Sequence, residues 1–210
     1  MRLSDWRNRL FPSPRWEEEV YWALDLETSG LRIGADAILS VGMVPIRNGV
    51  IRFGERFVSL VRPPLSEVLS TEGLRAHHLI PAEYADAPSI GDILPEIDRR
   101  LREGVLLVHH APLDVGFLKS AYRRLGRERP PLRVLDTIDL LLRLHLRRYR
   151  FTPHPPAVRT GLADARRDLG LPDHTQHDAL GDALATAELF LLLRQRLGVG
   201  RLREFPVRRG

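Results

Sequence analysis

Val20-Tyr21-Trp22-Ala23-Leu24-Asp25-Leu26-Glu27-Thr28-Ser29-Gly30 is the stretch on which the reading of the whole chain turns. Residues 20–26 are rich in bulky apolar side chains and Ser29-Gly30 stops them, which is the pattern of a buried strand. Asp25 and Glu27 close that strand two residues apart. With a side-chain period of two, both carboxylates fall on one face. Desolvation and repulsion both oppose two like charges on one side of a buried strand. Either the strand has ended and both face water, as Leu26 and Thr28-Ser29-Gly30 allow, or the pair serves chemistry.

On the C-terminal side a second strand is expected over residues 37–46, Asn48-Gly49 marks a hairpin turn, and a third strand spans 51–61 before Pro63-Pro64. These three strands form an antiparallel meander. A short helix is expected within 69–78. Ile90, Ile93, Leu94, Ile97 and Leu101 repeat at helical spacing over 89–102. Residues 105–108 form a short buried strand, and 113–125 a helix with Pro112 suited to its first turn. A strand over 133–135 and a helix over 137–148 follow. After a loop with Pro153, Pro155 and Pro156 come a helix over 161–169 and a long closing helix over 178–197. A meander followed by strand–helix alternation implies an α/β fold, a mixed sheet with helices on its faces. In such sheets chemistry gathers beyond strand ends, at switches in strand order.

The 210 residues suit one domain. With no cysteine, disulfides, zinc–cysteine sites and thiol chemistry are excluded. No apolar run approaches the ~20 residues of a membrane span, and the basic start Met1-Arg2-Leu3 lacks the apolar segment of a signal peptide, so a cytoplasmic protein with no membrane partner is expected. The formal net charge is +5, and Lys119 is the only lysine. Codon bias accounts for arginine standing where lysine could, but not for the positive sum. A phosphate-rich partner accounts for both.

Two further acidic segments stand out. His109-His110-Ala111-Pro112-Leu113-Asp114-Val115-Gly116-Phe117-Leu118 follows the 105–108 strand and places Asp114 in a first helical turn, where the helix dipole favours an anion and ordinary capping would suffice to explain it. His177-Asp178-Ala179-Leu180-Gly181-Asp182-Ala183 opens the last helix. Thr175 and Asp178 match a capping box, so the helix is expected to begin close to Thr175. His177 and Asp182, five apart, differ by about 140° around a helix and cannot share a face. His177 is therefore expected on a frayed turn or loop and Asp182 on the rigid part, an arrangement that suits a proton acceptor beside a fixed carboxylate. Asp182 and Gly181 interrupt the apolar stripe of Ala179, Ala183, Leu184, Ala187 and Phe190, which points to close approach to something polar.

Taken in order, Asp25-Leu26-Glu27-Thr28-Ser29-Gly30, His109 to Leu118 and His177 to Asp182 resemble the three exonuclease motifs of the DEDDh 3′–5′ exonucleases. That family includes the proofreading subunit of bacterial DNA polymerase III, ribonuclease T and oligoribonuclease. The similarity runs over roughly residues 20 to 195. It implies a ribonuclease-H-like fold: a five-stranded mixed sheet, three strands in an antiparallel meander plus two parallel, flanked by helices. It divides the chain into a basic N-terminal arm (1–19), an exonuclease domain (20–200) and a short basic tail (201–210). The arm, with Trp6, Leu10, Phe11 and Trp16, is expected to dock on the body as an amphipathic turn.

By the same resemblance, Asp25, Glu27, Asp114 and Asp182 hold two divalent ions and His177 is the general base. Four carboxylates at one point need cations to neutralise them, and an all-oxygen ligand set favours Mg²⁺ or Mn²⁺ over zinc. The implied reaction is hydrolysis at the 3′ ends of single-stranded DNA, releasing nucleoside 5′-monophosphates, with RNA ends as the alternative substrate and an inactive nucleic-acid-binding module as the reading of a different class. Thr28, Ser29, Gly30 and Leu31 match the place where the family wedges the 3′ nucleotide. His78, in His78-Leu79-Ile80-Pro81, resembles the His-Gly-Ile segment that lines the same pocket, with Leu79 where glycine is usual. His109 is assigned to substrate binding or to orienting Asp114, and His110 stands where the family carries asparagine. Asp136 is expected to cap the next helix, and Asp139 and Asp178 to be surface acids. A DNA polymerase is a candidate partner, although the chain ends at Arg208-Arg209-Gly210 without the long tail by which the polymerase III subunit binds, so a stand-alone nuclease, or one whose partner contact comes from 1–19, is expected. Arg123-Arg124, Arg147-Arg148-Tyr149-Arg150 and Arg166-Arg167 are candidate phosphate contacts.

Overall fold

A computed structural model describes residues 13–64 and 84–209 of the chain. The helix expected within 69–78, and His78 with it, lie outside the described residues.

Seven strands form one mixed sheet in the order β3-β2-β1-β5-β6-β7, with β4 also on β2. β1 (Tyr21–Thr28) lies at its centre, antiparallel to β2 (Ile38–Arg47) and parallel to β5 (Val105–Val108). β6 (Arg133–Asp136) runs parallel to β5. The third strand of the expected meander is two pieces, β3 (Val50–Ile51) and β4 (Phe57–Leu60), both paired to β2. The register explains the break: Ile46 faces Ile51 and Met43 faces Phe57, so the two residues of β2 between them oppose five of the returning chain. The surplus folds into the 3-10 turn Phe53–Glu55, which Glu55 ties back to β2 through Arg47 at 2.7 Å. The seventh strand, β7 (Arg208–Arg209), pairs antiparallel to β6 at the far edge.

The helices divide between the two faces, as strand alternation dictates. Trp22, Leu24 and Leu26 point to the side covered by α1 (Ile90–Glu103) and α2 (Ala111–Arg124). Tyr21 and Ala23 point to the side covered by α3 (Thr137–Arg148), α4 (Leu162–Asp168) and the long α5 (Ala179–Leu197). Each helix end has a local cause. Ser89 and Asp92 form a capping box on α1. Pro95 inside that helix cannot donate to the Gly91 carbonyl, which Arg127 Nη1 serves instead at 3.0 Å. Gly198, in the left-handed region at φ 68°, terminates α5. Trp16 packs against Tyr21 and Phe190, under the Arg194 guanidinium, in the α5-side core.

α5 does not begin near Thr175. Its first residue is Ala179 and its N-cap is Asp178, whose carboxylate accepts from Gly181 N at 3.0 Å. Asp178 thus does more than decorate the surface. His177 takes a left-handed backbone at φ 62°, which ends any helical path before it.

Candidate active site

The strand period that puts Trp22, Leu24 and Leu26 against α1 and α2 turns Asp25 and Glu27 to the side of α5. Gly42 lies opposite Asp25 in β2, and the start of α5 rests directly on it. A Cβ at Gly42 would sit 2.2 Å from Ala179 C and O and 2.4 Å from Leu180 N. This close approach brings Asp182, in the first turn of α5, beside the end of β1. Ligand oxygens of Asp25, Glu27 and Asp182 then lie within 4.8 Å of one another, a spacing that one cation could span.

Asp114 reaches the same region by a different route. β1 and β5 pair only over Tyr21–Ala23 and Val105–Leu107, and beyond that the two strands part. The first turn of α2 brings the Asp114 carboxylate into the gap, where the Leu26 amide hydrogen-bonds to it. Asp114 stands outside the three-residue cluster, but its charge is, after burial, the largest influence raising Asp25. Burial and the charges of Asp114, Asp182, Glu27 and Asp178 push the Asp25 carboxyl well above the usual carboxylate range. Burial, then Asp182 and Asp178, push Glu27 up to about 7. Burial, then the charge of Asp136, does the same in direction to Asp114. Protons or a cation must relieve the repulsion within such a set, and its all-oxygen chemistry fits a hard divalent ion.

Three histidines line the cleft in front of the cluster: His109, His174 and His177. His177 is exposed on the loop before α5, and its backbone N–H donates to Asp182 Oδ2 at 2.9 Å. His174 bonds the other oxygen of Asp182 through Nε2 at 2.7 Å. His109 is held at both ring nitrogens, Nδ1 to Thr137 Oγ1 and Nε2 to the Thr160 carbonyl, each at 2.7 Å. A carbonyl only accepts, so Nε2 carries the proton. Burial lowers the pKa of the ring, and Nδ1 shares the Thr137 hydroxyl with the Val108 carbonyl, which lies 3.2 Å from the same oxygen. His109 therefore ties α3 and the 150–160 loop together rather than holding Asp114. Asp136 caps two helices at once, accepting from Ile138 N (2.9 Å) at the start of α3 and from His110 N and Ala111 N (3.1 and 2.7 Å) at the start of α2.

The residues after Glu27 leave the cluster and build a loop. Thr28 donates to the Gly30 carbonyl at 2.7 Å, and Ser29 Oγ accepts from Ala37 N at 2.9 Å. Gly30 permits a close approach by the carboxylate of Asp36, whose Oδ2 would lie 2.4 Å from a Cβ there. Leu31 is 76% exposed, its side chain presented to solvent. The arginine pairs separate. Arg166 is buried and structural, bonding the Ala185 and Pro172 carbonyls (2.8 and 3.1 Å) and Glu188 (2.8 Å), whereas Arg167 lines the cleft. Arg124 is spent on the Gly34 carbonyl and Arg147 on the Leu197 carbonyl.

Sequence reasoning missed His174 and Gly42, and it took Arg166 for a candidate phosphate contact, whereas Arg166 is buried. A glycine inside a strand is a recognised mark of close backbone approach, so Gly42 had a signal. His174 and Arg166 had none, because their partners are distant in the chain or set by the loop's path.

Carboxylates gathered at the end of the central strand, with histidines in the same cleft, suit metal-assisted hydrolysis. The sequence profile of the exonuclease family, to which ribonuclease T gives its name, matches residues 22–190, and the chain belongs to that family. A Mycobacterium tuberculosis protein named "Putative bifunctional exonuclease/endonuclease protein" is 33% identical over 187 residues, covering 86% of this chain and 27% of that protein. PolC-type DNA polymerase III of Oceanobacillus iheyensis is 30% identical over 182 residues, covering 86% of this chain and 12% of the polymerase. The chain thus spans less than a third of the length of either relative. Among solved structures, the nuclease domain of 3′hExo, a DEDDh family member bound to rAMP, superposes with a TM-score of 0.68 at 14% identity, covering 93% of this chain and 98% of that one. E. coli exonuclease I in complex with a dA16 oligonucleotide gives 0.72 at 15% identity, covering 86% and 42%. These structures establish the shared fold. Among the described residues no helix is long and apolar enough to cross a membrane.

Proposed function

We propose that the protein is a 3′–5′ exonuclease that hydrolyses the terminal phosphodiester of single-stranded DNA and releases nucleoside 5′-monophosphates. The observation that carries this reading is the convergence of Asp25, Glu27 and Asp182 within 4.8 Å, with Asp114 behind them and His177 exposed at the mouth of the same cleft. Asp25, Glu27, Asp182 and Asp114 would hold two divalent cations, Mg²⁺ or Mn²⁺, which when bound supply positive charge at the scissile phosphate. Asp182 holds the His177 loop by its backbone, so the ring can take a proton from the attacking water. Of the three histidines in the cleft, His177 is the exposed one, and His109 and His174 are only partly exposed. The 3′ nucleotide would be wedged by Thr28, Ser29, Gly30 and Leu31, with exposed Leu31 offering an apolar face to the base. The likeness to PolC-type DNA polymerase III favours DNA ends and a role in replication or repair beside a polymerase. The likeness to a 3′-exonuclease that recognises a histone mRNA stem-loop favours the second reading, RNA ends.

The test is side-by-side digestion of single-stranded DNA and RNA of equal length with Mg²⁺, Mn²⁺ or EDTA. Stepwise shortening from the 3′ end to 5′-mononucleotides, abolished by EDTA and faster on DNA, is expected. Internal cleavage, or digestion that survives EDTA, would overturn it, and faster RNA digestion would favour the second reading.

A further inference from the structure

Between Asp139 and Asp164 the chain carries no acid, while Arg143, Arg147, Arg148, Arg150 and Arg159 supply permanent positive charge. This segment runs from α3 through the proline-rich loop into the catalytic cleft, where the Thr160 carbonyl meets His109 and Gly161 forms part of the wall. Where α3 ends, guanidinium and aromatic groups interleave. Arg148 lies over the Tyr149 ring at 5.5 Å and Arg150 over the Phe151 ring at 5.3 Å. Phe151 is 89% exposed, the most exposed of the large apolar side chains among the described residues. Neither Arg148 nor Arg150 has an ion-pair partner among the described residues. A groove lined by His145, Arg148, Tyr149 and Arg159 opens beside them, and its one acid, Asp168, is already paired to Arg159.

Only α4 separates this groove from the cleft: Ala163, Asp164 and Arg167 face the cleft, and Ala165, Asp168 and Leu169 face the groove. A helix is about 10 Å across, so a strand held in both need bridge only that distance. Arg167 stands at the crossing, already paired to Asp164 at 2.9 Å, so the unpaired charge of the track lies on the Arg148 and Arg150 side.

We propose that the groove and the Arg148-Tyr149-Arg150-Phe151 ridge bind the single-stranded nucleic acid upstream of the 3′ end being cut, with phosphates on the arginines and bases on the aromatic faces. Charge complementarity selects this occupant over another protein, because a polyanion is attracted by a stretch of chain that carries only positive charge. Alternating guanidinium and ring groups are the two contacts that sequence-tolerant single-strand binding uses. The inference rests on the exonuclease reading for the direction of the strand, but not for its binding.

The experiment compares the wild-type chain with Arg148→Gln/Arg150→Gln/Phe151→Ala. Binding of an oligothymidylate of about 20 nucleotides is followed by fluorescence anisotropy in EDTA, and Mg²⁺-dependent digestion of that strand and of a trinucleotide is measured in parallel. Loss of one stacked base and two phosphate contacts should weaken long-strand binding roughly tenfold or more. The salt dependence should become shallower by about 1.4, at about 0.7 per contact on single strands. Trinucleotide digestion should not change. Because the replaced side chains are exposed, an unaltered melting temperature is expected; Arg150→Glu alone supplies a second variant, expected to weaken binding further than Arg150→Gln. Unchanged affinity and salt dependence on the long strand would overturn the proposal. So would a wild-type dimer that the triple variant loses while long-strand binding persists, since the face would then be a protein contact. If the wild type binds the strand with the expected salt dependence but digests nothing, the track stands and the exonuclease reading falls.

Discussion

His110 occupies the left-handed region at φ 85°, which strains most residues that carry a Cβ and which asparagine tolerates better than most and glycine best. The position turns the chain from β5 into α2, and Asp136 fixes it by taking the His110 and Ala111 amides. Replacement by asparagine should raise stability by up to ~1 kcal/mol, read as a shift in denaturant midpoint at constant slope. His177→Ala should slow hydrolysis by about a hundredfold or more, measured as single-turnover digestion, because general-base effects have that size. An undiminished rate would move the role to another base. On the proposed reading, His174 bears on metal binding instead. Its Nε2 orients Asp182, so His174→Ala should raise the Mg²⁺ concentration for half-maximal rate by about 10- to 100-fold while saturating metal restores much of the activity. The acidic pair on β1 was legible as a candidate because burying like charges on one strand face is costly, and the strand running on to Thr28 removes the alternative that it had already ended. His174 was not, since nothing in Asp173-His174-Thr175-Gln176 tells which ring nitrogen will find a carboxylate eight residues on.

At the level of elements, the site exists because α5 can lie on β2. Gly42→Ala would drive a methyl into the Ala179 carbonyl, a backbone group with no room to yield. The helix must retreat, at a cost of about 1–3 kcal/mol, and carry Asp182 away from Asp25. Thermal unfolding should show the lower stability, and digestion should fall far more than that loss explains, even at saturating Mg²⁺. A variant with near-normal turnover would show that the contact does not position the carboxylate. The helices facing β1 were legible from their apolar spacing, and so were the strands paired to it. The span expected for α5, 178–197, matches Ala179–Leu197, but the capping box that put its start close to Thr175 does not form, because a Thr175–Asp178 pattern looks the same whether or not His177 departs from helical backbone. The split of the third strand was hidden for a similar reason: a surplus of residues shows only when the partner's register is known.

The whole molecule should report the metal through its own stability. Glu27 ordinarily titrates near 4.5 but is pushed up to about 7 in the fold, and Asp25 and Asp114 are raised in the same direction. A raised carboxyl favours the fold while it stays protonated, so that stability is present below about pH 4.5 and is lost as pH climbs through 7. In EDTA the melting temperature should therefore fall between those limits; Mg²⁺ or Mn²⁺ should oppose the fall, most strongly near and above pH 7, because a cation replaces the protons. Melting curves across pH with and without metal test this, and a flat profile in EDTA would contradict the repulsion among the carboxylates. The order of the main strands and helices, the two faces of β1 and the pairing of Asp25 with Glu27 on one of them were legible in the sequence alone, because alternation, helical spacing and the cost of burying like charges act within a few residues. Which arginines remain available for phosphate, which histidine grips Asp182, and how near Asp182 comes to Asp25 were decided only in the tertiary structure. Those outcomes depend on pairings between residues far apart in the chain: Arg166 is withdrawn into the core by Glu188 and the Pro172 and Ala185 carbonyls, Arg167 beside it is left at the cleft, and a missing Cβ on one strand sets the depth of a helix more than a hundred residues later.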